Sequence, residues 1–327
     1  MSQGVFLHEP AWRQSFEGWV IVDCAVRSRD IVYLVLRQDL PHEEASAMWD
    51  FEIPTRFAGL YLAEEDLNER WSHQGLADFR RPHAGACQLP RAQGLALSVT
   101  GDVYAAGSGA KGIERVAPDV TNLLKLRRIG GSVYAVGLGR EVFRRDDIGA
   151  WEKLDAGLPP ISADDLSRSQ GFEDMDGFAP DDIYAAGGDG DLWHFDGQAW
   201  SPRHLPSNWP LYTVCCAGDG QVYLTGEGGT IFAGRGDQWR KIWDAELSIP
   251  YNDSLWFDGK LWLASDYRVD WLVQRDDGPA VEVARNDGRR LLMRGHMDVG
   301  DGVLVIASQD EVWMFDGKDW RTLVAPY

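Results

Sequence analysis

Two series of short motifs run along this chain at one shared spacing, and together they restrict it to a repeat fold. In the first, an aliphatic residue and an aromatic one precede small or aliphatic residues, usually ending in Gly. It reads Val103-Tyr104-Ala105-Ala106-Gly107, Val133-Tyr134-Ala135-Val136-Gly137, Ile183-Tyr184-Ala185-Ala186-Gly187, Val222-Tyr223-Leu224-Thr225-Gly226 and Leu261-Trp262-Leu263-Ala264-Ser265. Leu304-Val305-Ile306-Ala307-Ser308 is a weaker copy, and Val32-Tyr33-Leu34 is a candidate at the front. The second positions are 33, 104, 134, 184, 223, 262 and 305, with gaps of 71, 30, 50, 39, 39 and 43. Most lie near the ~40–45 residues of one propeller blade.

The second series keeps phase with the first. Asp196-Gly197-Gln198-Ala199-Trp200 matches Asp316-Gly317-Lys318-Asp319-Trp320, with Arg235-Gly236-Asp237-Gln238-Trp239 and Asp147-Ile148-Gly149-Ala150-Trp151 as variants. Asp277-Gly278-Pro279-Ala280-Val281 fills the remaining interval with Val in place of Trp. Asp-Gly is a hairpin signal, because Gly reaches the positive φ that a tight turn needs. Such turns at strand-scale intervals break helices, so a helical repeat is excluded. The expected fold is all-β: a single β-propeller over 1–327, built from four-stranded blades that bury their aromatic faces by stacking radially. The anchors count seven blades. Six or eight stay open, since Gly59-Leu60-Tyr61-Leu62 resembles a further anchor inside the 71-residue gap.

Before Gly94 the pattern is weaker. Residues 1–19 read as a terminal strand and turn, of the kind that completes the last unit in ring-shaped folds. Val20–Val26, Ile31–Leu36, Met48–Ile53 and Phe57–Leu62 read as strands of one unit. An irregular segment is expected near 63–93, with Glu64–Trp71 as a short helix or polar loop. An inserted acidic loop is expected near 155–180, in the long interval between Tyr134 and Tyr184.

Charge narrows the partners. The chain has 51 acidic against 32 basic residues, a formal net charge of −19. That surface repels nucleic acid and anionic membranes and favours a basic partner. Ten acids and one Arg fall between Asp164 and Asp196, a local net charge of −9 with His194 neutral. Asp164, Asp165, Glu173, Asp174, Asp176, Asp181 and Asp182 are therefore the candidate partner-binding residues. A solvated loop explains the same run without function. The N-terminus has no basic segment followed by a long apolar run, so no export signal is expected and a cytoplasmic location is the default. The four cysteines, Cys24, Cys87, Cys215 and Cys216, read as buried free thiols.

No chemistry-bearing motif stands out. His296 and Asp298 alternate onto one face of a strand, as a metal ligand pair or general base would, but a lone pair is more often structural. His73, His83 and Cys87 lie close in sequence with a spacing that fits no common zinc module. Asp174-Met175-Asp176-Gly177 is a calcium-loop fragment lacking the downstream Glu. No catalytic residue, metal or cofactor is expected. The Asp-Gly-x-x-Trp motif lacks the Ser and Thr of sialidase boxes, and no unit carries the paired Gly-His and Trp-Asp of WD repeats.

With its divergent Tyr-Ala-x-Gly and Asp-Gly-x-x-Trp repeats and acidic composition, the chain resembles bacterial propeller-type immunity proteins that neutralise secreted nuclease toxins. The resemblance implies a non-enzymatic binding module in which carboxylates cover the cationic groups that a basic toxin uses to hold phosphate. Two other expectations compete with it. A propeller glycoside hydrolase or lyase would show acids with His or Arg at the central pore. A scaffold in an assembly would show exposed apolar patches in 63–93.

Overall fold

In a computed structural model the chain forms one propeller of seven four-stranded antiparallel blades, each a simple meander. The structure describes residues 5–120, 122–160, 162, 170–244, 248–276 and 278–327. Blade 1 is β1 (Trp19–Ser28), β2 (Ile31–Gln38), β3 (Thr55–Tyr61) and β4 (Trp71–Leu76). Blade 2 is β5 (His83–Cys87), β6 (Gln93–Leu97), β7 (Asp102–Gly107) and β8 (Ala110–Arg115). Blade 3 is β9 (Leu123–Ile129), β10 (Ser132–Gly137), β11 (Glu141–Asp147) and β12 (Ala150–Lys153). Blade 4 is β13 (Asp174–Ala179), β14 (Asp182–Gly187), β15 (Asp191–Phe195) and β16 (Trp200–Arg203). Blade 5 is β17 (Leu211–Cys216), β18 (Val222–Gly226), β19 (Ile231–Arg235) and β20 (Gln238–Trp243). Blade 6 is β21 (Asp253–Phe257), β22 (Lys260–Ala264), β23 (Val269–Arg275) and β24 (Gly278–Val283). A small hairpin, β25 (Arg285–Asn286) and β26 (Arg289–Arg290), precedes blade 7, which is β27 (His296–Gly300), β28 (Val303–Ala307), β29 (Val312–Phe315) and β30 (Trp320–Val324).

The chain divides into two compact units, Met1–Thr121 with Gly295–Tyr327, and Asn122–Arg294. The first holds blades 7, 1 and 2; the second holds blades 3 to 6. Within each, the first strands of neighbouring blades lie beside one another as inner strands. The cores sit between blades. Val303, Val305, Leu34, Leu36 and Leu60 join blades 7 and 1, while Tyr134, Met175, Ile183 and Trp200 join blades 3 and 4. Burying such side chains contributes roughly 1.5–3 kcal/mol each for the larger aliphatics and Phe.

The motif series find their places with one displacement. Tyr33, Tyr134, Tyr184, Tyr223, Trp262 and Val305 stand on the second strands of their blades. Tyr104 stands instead on the third strand of blade 2. The second strand there carries Gly94, where a Cβ would lie 2.2 Å from the Tyr33 ring. Blade 1's aromatic fills that space, and Tyr104 enters the same cluster from the next strand, its ring centroid 5.4 Å from that of Phe57. The shift explains the short second gap and part of the long first one, to which the long β2–β3 connection also adds. Gly59–Tyr61 belongs to β3, so it adds no eighth blade.

The Asp-Gly-x-x-Trp motif is a capped hairpin. Gly197 has φ +88°, and Asp196 Oδ1 accepts the N–H groups of Gln198 and Ala199, each at 2.9 Å. Asp316 does the same for Lys318 and Asp319. These backbone donors hold both carboxyls below their ordinary pKa. Trp200 then lies 5.2 Å from the Phe195 ring and donates its Nε1–H to Leu154 O at 3.0 Å.

Three local expectations are corrected. Met48–Ile53 is not a strand: the β2–β3 connection holds a short helix α2 (His42–Ala47) and a 3-10 turn at Asp50–Glu52, because Asp50 is drawn to Arg37 rather than to a strand partner. The segment 63–93 contains β4 and β5, strands of two successive blades, whose polar letters hid their period. Among the described residues the N-terminus supplies no blade strand. Phe6 and Leu7 donate to Thr322 O and Leu323 O, and helix α1 (Glu9–Ser15) follows. Blade 7 draws all four strands from the C-terminal residues.

Candidate functional site

The acidic residues singled out by sequence separate into two kinds. Asp174 and Asp176 lie on β13, the inner strand of blade 4, not on a loop. Asp174 is 0% exposed. Its Oδ1 accepts from Met175 N at 2.8 Å and its Oδ2 from Val214 N, on the inner strand of blade 5, at 2.9 Å. Asp176 repeats this two residues on, accepting from Gly177 N at 2.8 Å and from Cys216 N at 2.7 Å. Asp23 on β1 accepts from Cys24 N at 2.8 Å and from Ala84 N, on the inner strand of blade 2, at 2.9 Å. Asp298 on β27 accepts from Val299 N at 2.8 Å and from Val26 N, on the inner strand of blade 1, at 2.6 Å.

One device thus recurs four times among the described residues. Inner strands of adjacent blades belong to different sheets and do not share a ladder, so an N–H turned towards the neighbour needs another acceptor. A carboxylate one strand away provides it through a charge-assisted bond. Asp174 and Asp176 are therefore clasps between blades; Asp174 is fully buried, and Asp176 is partly buried.

In blade 4 the clasp is neutralised by fixed cations. Arg127 of β9 forks onto Asp174, with Nε–Oδ1 and Nη2–Oδ2 both 2.7 Å. Lys125 reaches Asp253 Oδ1 at 2.7 Å and donates to Asn252 O at 2.8 Å. Burial opposes the charge of Arg127, but Asp174, Asp253 and Asp176 outweigh it and hold its pKa well above the ordinary value. Burial pushes the Asp176 carboxyl up to about 6, against the pull of Arg127 and its backbone donors. It also raises the thiols of Cys215 and Cys216, keeping both in the unreactive form.

This cluster joins acids with an Arg, as expected of an enzymatic pore, and its central carboxylate, Asp174, is saturated. Two donors reach each oxygen of Asp174, so the four acceptor sites of a carboxylate are filled. A general acid, base or nucleophile needs a lone pair or proton aimed at substrate.

The other predicted residues lie nearer solvent. Asp181 is exposed in the β13–β14 turn. Asp182 is half-buried, bonded to Arg235 Nη2 at 2.6 Å and to His194 Nε2 at 2.8 Å. Arg203 Nη2 lies 3.1 Å from His194 Nδ1, which fixes the proton of a neutral ring on Nε2, towards Asp182. Glu173 is partly buried, which raises its pKa. Asp164 and Asp165 lie outside the described residues.

The histidines read as candidate ligands are dispersed. His73 bonds to Ser15 Oγ at 3.0 Å and lies against the Trp71 ring. His83 and His296 place Nδ1 at 3.5 and 4.0 Å from Asp23. Cys87 donates to Arg91 O. Among the described residues no group of three or more His, Cys, Asp or Glu is arranged to hold a metal ion.

Sequence reasoning missed two surfaces. A cleft of about 380 Å³ opens between blades 1 and 2, floored by Tyr33, Phe57 and Tyr104 and rimmed by Tyr61, His73 and Lys111. Its aromatic residues come from three strands, so no single motif announces it. The β2–β3 connection is acidic and exposes Trp49 and Phe51. Its alternating apolar letters imitate a strand.

The fold is a seven-bladed propeller whose inner strands are clasped by aspartates. No protein-family model matches the chain. Immune protein Tsi7 of Pseudomonas aeruginosa (strain PAO1) is 33% identical over 309 residues, covering 91% of this chain and 95% of that protein. The chain belongs to the family of that immune protein. Solved propellers agree in fold alone. A virginiamycin B lyase from Staphylococcus aureus matches at TM-score 0.64 and 8% identity, covering 95% of this chain and 97% of that one. YCF48 from Cyanidioschyzon merolae matches at 0.59 and 12%, covering 91% and 95%. The WD40 propeller of Doa1 matches at 0.58 and 10%, covering 90% and 95%.

Proposed function

We propose that this chain is a cytoplasmic immunity protein that binds a cognate toxin and blocks it by occlusion, and that the toxin is a basic, nuclease-type protein. The observation that carries the reading is the near full-length similarity to immune protein Tsi7. The net charge of −19 supports the basic partner. Four clasping carboxylates are turned inward, so the remaining acids supply the outward field. Such a field speeds encounter with a cationic protein and disfavours wrong partners. A nuclease holds phosphate with Lys and Arg, and carboxylates laid over those groups exclude its substrate.

The test is co-expression of this chain with the product of the open reading frame adjoining its gene, followed by purification. Restored growth and a 1:1 complex whose association slows with added salt are expected. Growth arrest despite full-level expression of this chain overturns the reading. Protection by a salt-insensitive complex keeps immunity and removes the basic partner.

A further inference from the structure

The β2–β3 connection, residues 39–54, is folded yet has no fully buried residue. Its base is closed by Gln38 N to Pro54 O at 3.0 Å and Asp39 N to Gly18 O at 2.9 Å. Arg37 Nη2 donates to Asp50 O at 2.6 Å, and Arg81 N to Asp50 Oδ2 at 2.8 Å. Glu52 caps Trp49 N at 2.6 Å. Helix α2 and the 3-10 turn nevertheless contain no buried residue. Trp49 is 70% exposed and Phe51 39%. A tryptophan held in water by an ordered backbone has no folding role that explains its exposure, and Trp is the residue most enriched in binding hot spots.

The charge of the same connection selects the occupant. It carries Asp39, Glu43, Glu44, Asp50 and Glu52 and no Lys or Arg, a net of −5 with His42 neutral. The abutting Arg37, Asp78, Arg80 and Arg81 bring this to −3, still negative. Glu43 and Glu44 have no ion-pair partner among the described residues. A second copy would bring the same negative face and be repelled, as would nucleic acid or an anionic membrane. A basic protein surface with an apolar recess is complementary.

We propose that residues 39–54 form a docking surface for the toxin, with Trp49 and Phe51 as apolar anchors and Glu43 and Glu44 steering its cationic rim. This rests on the immunity reading above and names where the partner binds. Anchors and rim act on different rates, since charge governs encounter and packed aromatics govern escape.

The experiment measures association and dissociation of the inactivated toxin on the full chain. The variants are W49A/F51A, E43Q/E44Q and, as an exposed apolar control from the other unit, L292A. W49A/F51A is expected to weaken binding by at least ~30-fold, mostly through faster dissociation. E43Q/E44Q is expected to slow association several-fold at low salt and flatten its salt dependence. L292A is expected to stay within ~3-fold, and hydrogen exchange is expected to show protection of 42–53 in the complex. All four chains should unfold at the same temperature, since the substituted positions are exposed. Tight wild-type binding unaffected by W49A/F51A overturns the docking surface and leaves the immunity reading standing. No wild-type binding overturns both. A homodimer that W49A/F51A dissolves places a second copy there and also overturns the proposal.

Discussion

Asp23 and Asp174 make the same pair of backbone bonds in the two compact units, but different side chains attend them. Asp174 is fully enclosed and gripped by the Arg127 fork, with Lys125 and Asp253 completing a buried network. Asp23 has His83 and His296 at longer range, both partly open to solvent. The shared part of the device joins blades; the cation sets how strongly the joint depends on charge. A buried carboxylate among permanent cations is costly to disturb, because removing either partner strands the other in a poorly solvated site. A carboxylate beside imidazoles has partners that water can replace.

Four substitutions test that contrast, beginning with the largest expected effect. Asp174→Ala leaves Arg127 and Val214 N without their acceptor and is expected to cost ~3–5 kcal/mol in urea unfolding. Asp23→Ala loses chiefly two backbone bonds and should cost ~1–3 kcal/mol. Equal losses at the two sites would show that the cations add nothing to the clasp.

Asp176→Asn sharpens the comparison through pH. The folded carboxyl sits at about 6, above its ordinary 3.8, so the folded state holds the extra proton between those values. Stability of the wild type should therefore fall as pH rises from about 4 to 6 and level off above. Asp176→Asn should lack that segment of the profile. Parallel urea midpoints for the two proteins from pH 4 to 7 would refute the assignment. His83→Gln should be the mildest, below ~1 kcal/mol at pH 7, because its contact with Asp23 is long and partly solvated. A larger loss by thermal unfolding would mean that the imidazole is part of the clasp.

The turn-capped hairpins and most second strands of this propeller were legible, and inner strands rich in acids were not, for a physical reason. Asp196-Gly197 and Asp316-Gly317 announce hairpins because local backbone geometry demands those residues. Tyr134 and Tyr184 announce core strands because burial demands apolar side chains. An inner strand such as Asp174–Ala179 answers to the blade beside it, and its acids are bonded to Val214 and Cys216, 40 positions away in each case. Read along the chain, Asp174 and Asp176 are indistinguishable from a solvated charge run. Trp49 failed in the opposite sense. Its apolar character suggested a buried strand, whereas its environment is water.

The clasps also bear on how such a chain can gain or lose repeats. Each carboxylate is encoded in one blade and completes the backbone of the next, from Asp298 to Val26 and from Asp23 to Ala84. A duplicated or deleted blade breaks a handshake at each seam unless the new neighbour offers an amide at the same height. Repeats joined only through apolar faces can be exchanged more freely, because burial tolerates many shapes. Here the seams from blade 7 to 1, 1 to 2 and 4 to 5 are keyed, each by aspartates that fit one particular neighbour.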